Sequence, residues 1–188
     1  MLENIIEIFI LSIIQGVSEF LPISSSSHLI IVSTLYEFKS SSLLIDISLH
    51  LGSLFAILLV YKNDIFNFKT NKKFLSLIFF GSMPLIVFGF VIYITDVIDI
   101  LRDVKIIALT TIAFGILLYL ADKNKLELSI DKELSIKSIF IIGLFQVLSL
   151  IPGVSRAGIV ITGARFLKYN RIDSANISFL LSIPALCG

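Results

Sequence analysis

The sequence predicts an all-α polytopic membrane protein, built as inverted-topology repeats with two re-entrant helical hairpins. Three observations predict it. Of the 188 residues, 56% are hydrophobic and 15% charged, with a mean hydropathy of +1.00. Soluble domains carry about 25% charged residues, so the deficit points into lipid. Two polar strings interrupt over-long apolar segments and echo each other: Gln15-Gly-Val-Ser-Glu19-Phe-Leu-Pro22-Ile-Ser24-Ser25-Ser26-Ser27-His28, and Gln146-Val-Leu-Ser149-Leu-Ile-Pro152-Gly153-Val154-Ser155-Arg156. With Gln15 placed over Gln146, Ser18 falls on Ser149, Ile23 on Val154 and Ser24 on Ser155. Lastly, lysine-rich loops alternate with an acidic one. The formal charge of +1 leaves no basic stripe for nucleic acid. A single cysteine, Cys187, supports neither a disulfide framework nor a metal cluster.

The elements follow in order. Segment 4–36 is apolar and broken at Pro22, where a helix loses a hydrogen bond and meets a ring clash. Its start carries Glu3 and Glu7 in place of a basic n-region, so it is expected to remain in the mature protein. Stretches of about 43–61, 74–95 and 103–121 each supply the roughly 20 apolar residues that a spanning helix needs. Segment 136–168 is broken at Pro152-Gly153. A last apolar run begins near 174 and reaches Gly188 short of a comfortable crossing, so the chain is expected to be truncated or a fragment.

Loop charge orients these segments. The 62–73 loop has Lys62, Lys69, Lys72 and Lys73 against Asp64, and the 122–137 loop again holds lysines. The 96–105 loop has Asp96, Asp99 and Asp103 against Arg102 and Lys105. Basic loops stay in the cytoplasm, which makes the three plain spans alternate correctly. Arg165, Lys168 and Arg171 place 163–173 inside as well, so 136–168 enters and leaves on one face. The weakly charged 37–42 loop falls outside and makes 4–36 its mirror image. Inverted repeats arrange broken helices in this way. The expected organisation is a single transmembrane domain over 1–188, with repeat 1 at about 1–95 and repeat 2 at about 103–188.

The polar strings carry chemistry. Gln15 and Glu19 lie at i and i+4 and share a helix face, as do Ser24 and His28. Ser24 and Ser155 suit the N-cap of the helix that follows each break. Two helix N-termini would then aim N–H groups at a shared site and bind phosphate, and Arg156 adds a fork matched to phosphate. Glu19, with Gln15, suits a hard divalent cation or a proton acceptor. Ser25 or Ser24 beside His28 makes a nucleophile and base pair, or His28 is itself the nucleophile or the acid.

Plainer roles compete for the other polar residues. Ser26 and Ser27 can bond backbone or let helices pack closely, and Gln15 and Gln146 can be interhelical glue. His50 reads as a packed, hydrogen-bonded helix residue, and Arg165, Lys168 and Arg171 as topology anchors. Glu19, His28 and Arg156 differ, because ionisable groups deep in apolar sequence are expensive unless they function.

These strings resemble the undecaprenyl pyrophosphate phosphatase family, the bacterial bacitracin-resistance membrane proteins. Gln15-x-x-x-Glu19 matches its (E/Q)xxxE motif, Phe20-Leu-Pro-Ile-Ser-Ser-Ser-Ser-His28 its FLPxSSxxH and Pro152-Gly-Val-Ser-Arg156 its PGxSR. The likeness continues through Leu49-His-Leu-Gly-Ser-Leu-Phe-Ala and Phe179-Leu-Leu-Ser-Ile-Pro-Ala. It implies removal of the terminal phosphate from undecaprenyl pyrophosphate, recycling the lipid carrier of peptidoglycan. It also implies a multi-pass protein of the bacterial inner membrane, a divalent cation (Mg2+ or Ca2+) and a fold of inverted repeats. By motif, Glu19, Ser25, His28 and Arg156 inherit essential catalytic positions. Ser24, Gly153, Ser155 and Arg156 make the phosphate-binding set, and Glu19 and Gln15 the metal contacts. The expected partners are a polyprenyl pyrophosphate lipid and the bilayer, with no nucleic acid; a homodimer stays open. Two departures stand out: PGxSR usually continues Ser-Gly-x-Thr but here runs Ala157-Gly158-Ile159-Val160, and Ser27 replaces a common glycine.

The main rival is a transporter or lipid flippase on the same repeats, against which stands the crowding of Glu19, Ser25 and His28. An acid-phosphatase-type lipid phosphatase needs a second histidine after its arginine, and none follows His50.

Overall fold

The computed structural model describes residues 2–40, 42–63, 72–95, 104–123, 128–130 and 134–187. Eight α-helices stand among the described residues: α1 (Leu2–Ser18), α2 (Ser25–Leu35), α3 (Leu43–Val60), α4 (Lys72–Thr95), α5 (Val104–Asp122), α6 (Ile136–Val147), α7 (Arg156–Phe166) and α8 (Arg171–Cys187). No named strand is found among them; a single β-bridge joins Leu128 to Tyr169. The all-α class is therefore observed.

Three helices are long and apolar enough to cross a membrane, over Leu43–Val60, Leu75–Thr95 and Lys105–Asp122. They coincide with the three plain spans of the sequence. Their surfaces bear exposed Phe55, Leu59, Phe90, Ile94, Leu109 and Ile112, a display that water would not tolerate and lipid does. The chain is a multi-pass membrane protein.

Both polar strings break helices where proline predicts. The first break covers 19–24, between α1 and α2; the second covers Leu148–Leu150, a 3-10 turn, and continues to Ser155. Ser24 caps α2 and Ser155 caps α7, each side chain accepting from the backbone N–H three residues on. With 12 and 11 residues, α6 and α7 reach only about 18 and 16 Å at 1.5 Å per residue, well short of the roughly 30 Å hydrocarbon core. The two pack against each other, as α1 does against α2.

The flanks of each broken unit are tied together. Glu7 in α1 accepts at 2.9 Å from the backbone N–H of Ser40, beyond α2. Before α6, Leu128 donates to the Lys168 carbonyl at 2.8 Å, and its own carbonyl accepts from Asn170 N–H at 3.1 Å. The order α1–α2–α3 thus repeats as α6–α7–α8, with Ser24 and Ser155 in equivalent places.

At one end of the bundle, Tyr61 donates to Asn176 Oδ1 at 2.9 Å. There Asp122 accepts both Arg171 donors, at 2.9 and 2.6 Å. The end of α3, the end of α5 and the start of α8 therefore meet on the side assigned to the cytoplasm. Arg165 is not a solvated anchor. It is 2% exposed, donates to the Tyr169 and Asp122 carbonyls at 2.7 and 3.1 Å, and lies 3.2 Å from the Asp122 carboxylate. Asp64, Lys69, Asp96, Asp99, Arg102, Asp103 and Gly188, used in orienting or ending the chain, lie outside the described residues.

The core sits between α4, α6, α7 and α8, around Leu77, Ile142, Val160, Ala164, Ile177 and Leu181. Small residues let α4 and α6 close up, as is usual between membrane helices. A Cβ on Gly143 would fall on the Gly81 carbonyl, which is backbone and cannot yield. Gly143→Ala is therefore expected to destabilise the fold by about 2 kcal/mol through overpacking. Melting of the detergent-solubilised protein reads it, with Gly52→Ala as control, since a Cβ at Gly52 meets nothing within 4 Å.

Candidate active site

The two breaks touch each other. Ser155 Oγ donates to the Ile23 carbonyl at 3.0 Å, and a Cβ on Gly158 would stand 3.2 Å from the Pro22 carbonyl. Phe20 packs edge-on against Phe179 of α8, 5.8 Å between centroids. The sequence echo is thus a physical junction.

Glu19 sits at that junction, 7% exposed. Its Oε2 accepts from Gln15 Nε2 at 3.0 Å and from Ser25 Oγ at 2.6 Å. Its Oε1 accepts from the Arg156 guanidinium in a close ion pair. The other terminal nitrogen of Arg156 donates to the Ser182 carbonyl of α8 at 3.1 Å. Residues from both strings therefore converge on one carboxylate. Paired charge of this kind, buried in lipid-facing sequence, is costly to keep and makes this junction the candidate site.

A cavity of 730 Å³ opens at this carboxylate, with Ser24, Ser25, Ser149, Ser155 and Arg156 on its polar wall. The opposite wall is apolar and comes from α4 and the end of α8. His50 also lines it, and it is the hydrogen-bonded helix residue that the sequence predicts. Its Nδ1 lies 2.8 Å from the Asp46 carbonyl. A carbonyl only accepts, so Nδ1 carries the proton and Nε2 faces Glu19 Oε2, 3.8 Å away.

His28 is placed elsewhere. Its Nδ1 lies 2.7 Å from the Ser24 carbonyl, and it lines a second cavity of 600 Å³ between α2, α5 and α7. The Ser25 hydroxyl is bonded to Glu19, not to His28. Ser24 Oγ accepts from Ser27 Oγ at 2.9 Å as well as capping the helix. Ser24 and Ser155 line both cavities, and Gly153 only the second.

Gly153 has a structural reason to be glycine. Its φ is +92°, a region that side chains rarely adopt. Thr110 Oγ1 of α5 lies 2.6 Å from the Pro152 carbonyl, and Thr111 Oγ1 lies 3.0 Å from that of Gly153. A Cβ on Gly153 would press on the Thr110 hydroxyl and the Ile107 carbonyl. Gly153→Ala is expected to destabilise the protein by about 3 kcal/mol, adding backbone strain to overpacking. A melting curve checks it, and an unchanged midpoint would remove the clamp from the account. Of the two departures after PGxSR, Ala157 lines the first cavity, while Val160 lies in the apolar core. A hydroxyl absent at 160 thus takes nothing from the cavity wall.

Among the described residues no group of three or more His, Cys, Asp or Glu could hold a metal ion. One buried atom still fits a cation: Gln15 Oε1 has no hydrogen-bond partner and belongs to a residue 1% exposed. An amide oxygen beside the Glu19 carboxylate suits a hard divalent cation that keeps water or phosphate oxygens as its other ligands.

Comparison with known proteins agrees with this geometry. Residues 8–188 match the family described as bacitracin resistance protein BacA. An undecaprenyl-diphosphatase of Pelagibacter ubique is 57% identical over 189 residues, covering 100% of this chain and 74% of the relative. Another from Campylobacter curvus is 40% identical, covering 97% and 74%. One from a Ruegeria species is 38% identical, covering 97% and 73%. The two strings, their junction at Glu19 and the match along almost the whole chain lead to one conclusion: this protein belongs to the BacA bacitracin-resistance family.

Proposed function

We propose that the protein hydrolyses the terminal phosphoanhydride of undecaprenyl pyrophosphate, releasing inorganic phosphate and the monophosphate lipid. That product is the carrier reused in bacterial cell-wall synthesis, and its seat is the inner membrane. One observation carries the reading. A serine hydroxyl and an arginine fork meet on a single buried carboxylate, in a cavity whose far wall is apolar. A ligand with a charged head and a hydrocarbon tail fits that division.

The chemistry follows from the contacts. Ser25 Oγ already donates to Glu19, so Glu19 is in reach to take its proton as Oγ attacks the terminal phosphorus. The anhydride bond breaks and the prenyl monophosphate leaves. A water then displaces Ser25 from phosphorus, returning a proton to Oγ and liberating phosphate. Arg156, drawn from Glu19 by the incoming phosphate oxygens, stabilises their charge with two donors. The N-termini capped by Ser24 and Ser155 add N–H groups of the same sign. His28 holds the Ser24 carbonyl through Nδ1. Gln15 and Glu19 would hold the divalent cation, Mg2+ or Ca2+, which when bound neutralises pyrophosphate charge.

In this reading α1–α2 and α6–α7 are re-entrant hairpins of two inverted repeats. Short helices and flanks joined by Glu7–Ser40 and Leu128–Tyr169 support it.

Phosphate release by the purified protein from undecaprenyl pyrophosphate, with Mg2+ or Ca2+ and then with chelator, tests the assignment. Release suppressed by chelator is expected. No release from any prenyl pyrophosphate would overturn the reading.

A further inference from the structure

α4 carries two glycines that serve different ends. At Gly81 a Cβ would stand 2.7 Å from Leu181 Cδ2 and 2.9 Å from Ile139 Cγ1, so that glycine is needed for packing. At Gly89 a Cβ would meet only Leu150 Cδ2, at 3.9 Å, an ordinary contact. Packing therefore does not require glycine at 89, although glycine inside a helix is destabilising by roughly 0.5–1 kcal/mol relative to alanine. What the missing side chain leaves is space. Gly89 lines the cavity of Glu19 and Arg156, opposite Leu150 of the second break.

Beyond the head site, that cavity wall is formed by Leu85, Ile86, Phe90 and Tyr93 on the same helix. Ile86, Phe90 and Tyr93 are also exposed. One cavity thus holds both the buried polar groups and exposed apolar residues. The second cavity, also mostly apolar, contains none of Glu19, Ser25 or Arg156.

We propose that the α4 face from Leu85 to Tyr93 is the lane for the prenyl chain adjoining the pyrophosphate, and that Gly89 keeps this lane open. The occupant is the hydrocarbon chain of the substrate itself, because lane and head site are one cavity; the inference rests on the phosphatase reading. Gly89 is then a specificity-determining residue. A side chain there competes for volume with the isoprene units beyond the first, while Glu19, Ser25 and Arg156 stay in place.

Gly89→Leu tests this against Gly115→Leu. Gly115 lines the second cavity, and a Cβ there meets nothing within 4 Å. Phosphate release is measured from undecaprenyl pyrophosphate and from dimethylallyl pyrophosphate, with kcat and KM separated. Differences of a methylene in an apolar pocket change discrimination by roughly 10–200-fold. Gly89→Leu is expected to lower the long-chain to short-chain ratio of kcat/KM at least ~10-fold, mainly through KM. Gly115→Leu is expected to leave the ratio unchanged. Melting in detergent and an intermediate effect in Gly89→Ala separate a filled lane from a misfolded variant. An unchanged ratio in Gly89→Leu, or an equal fall in Gly115→Leu, overturns the lane while wild-type phosphate release leaves the phosphatase reading standing. Absence of release from the wild type would instead remove that underlying reading.

Discussion

Glu19→Gln is expected to lower phosphate release by ~10³-fold while the protein still folds, the size of a lost general base. The amide keeps the shape of the carboxylate and can still accept from Ser25 or from Arg156. It cannot take a proton from Ser25 Oγ, and it no longer balances the guanidinium. Removing one partner of a buried charge pair usually costs about 3–5 kcal/mol, so Glu19→Ala would confuse lost chemistry with lost structure. The isosteric variant keeps the shape and one of the two acceptor oxygens, so it disturbs the junction of α1, α2 and α7 less than alanine would. Phosphate release and detergent melting, measured on the same preparation, separate the two effects. A folded Glu19→Gln protein with more than a tenth of wild-type release would take the carboxylate out of the proton-transfer step.

What could be read from the chain divides along physical range. Helices, breaks and caps are local, and they were legible. Pro22 and Pro152 interrupt helices whatever surrounds them, and Ser24 and Ser155 cap the next turn from three residues away. The three spanning helices follow from apolar length alone. Facing is tertiary, and there the reading was incomplete. Ser25 and His28 stand three residues apart, so their directions on a helix differ by roughly 60°. That suffices to turn one into each cavity, once Ser155 fixes the Ile23 carbonyl from 132 residues away.

The approach of His50 to Glu19 is tertiary too, since no sequence rule brings the middle of α3 to the end of α1. Arg165 was counted as a loop charge, yet Asp122, 43 residues earlier, supplies the carbonyl that lets it be buried. Gly153 was assigned to phosphate on its motif, and the structure adds a conformational demand that α5 enforces through Thr110 and Thr111.

Arg156→Lys is expected to lower kcat/KM by ~10²-fold and Arg156→Ala by ~10³-fold, which asks whether the site needs charge or a fork. In the wild type one terminal nitrogen holds the Ser182 carbonyl and the other Glu19. The planar group is thereby oriented before any phosphate arrives. Lysine supplies the charge as a strongly hydrated point on a flexible stem, and it cannot present two parallel donors to a phosphate. It should still neutralise Glu19 and support folding. Alanine leaves Glu19 buried without its cation, so its melting temperature should fall below that of the lysine variant. Added guanidinium should then restore part of the phosphate release of Arg156→Ala, because a free fork can occupy the vacated space. A residue needed only to join α7 to α8 would not be rescued in this way. Full activity in Arg156→Lys would show that charge alone is sufficient, and the bidentate role would have to be given up.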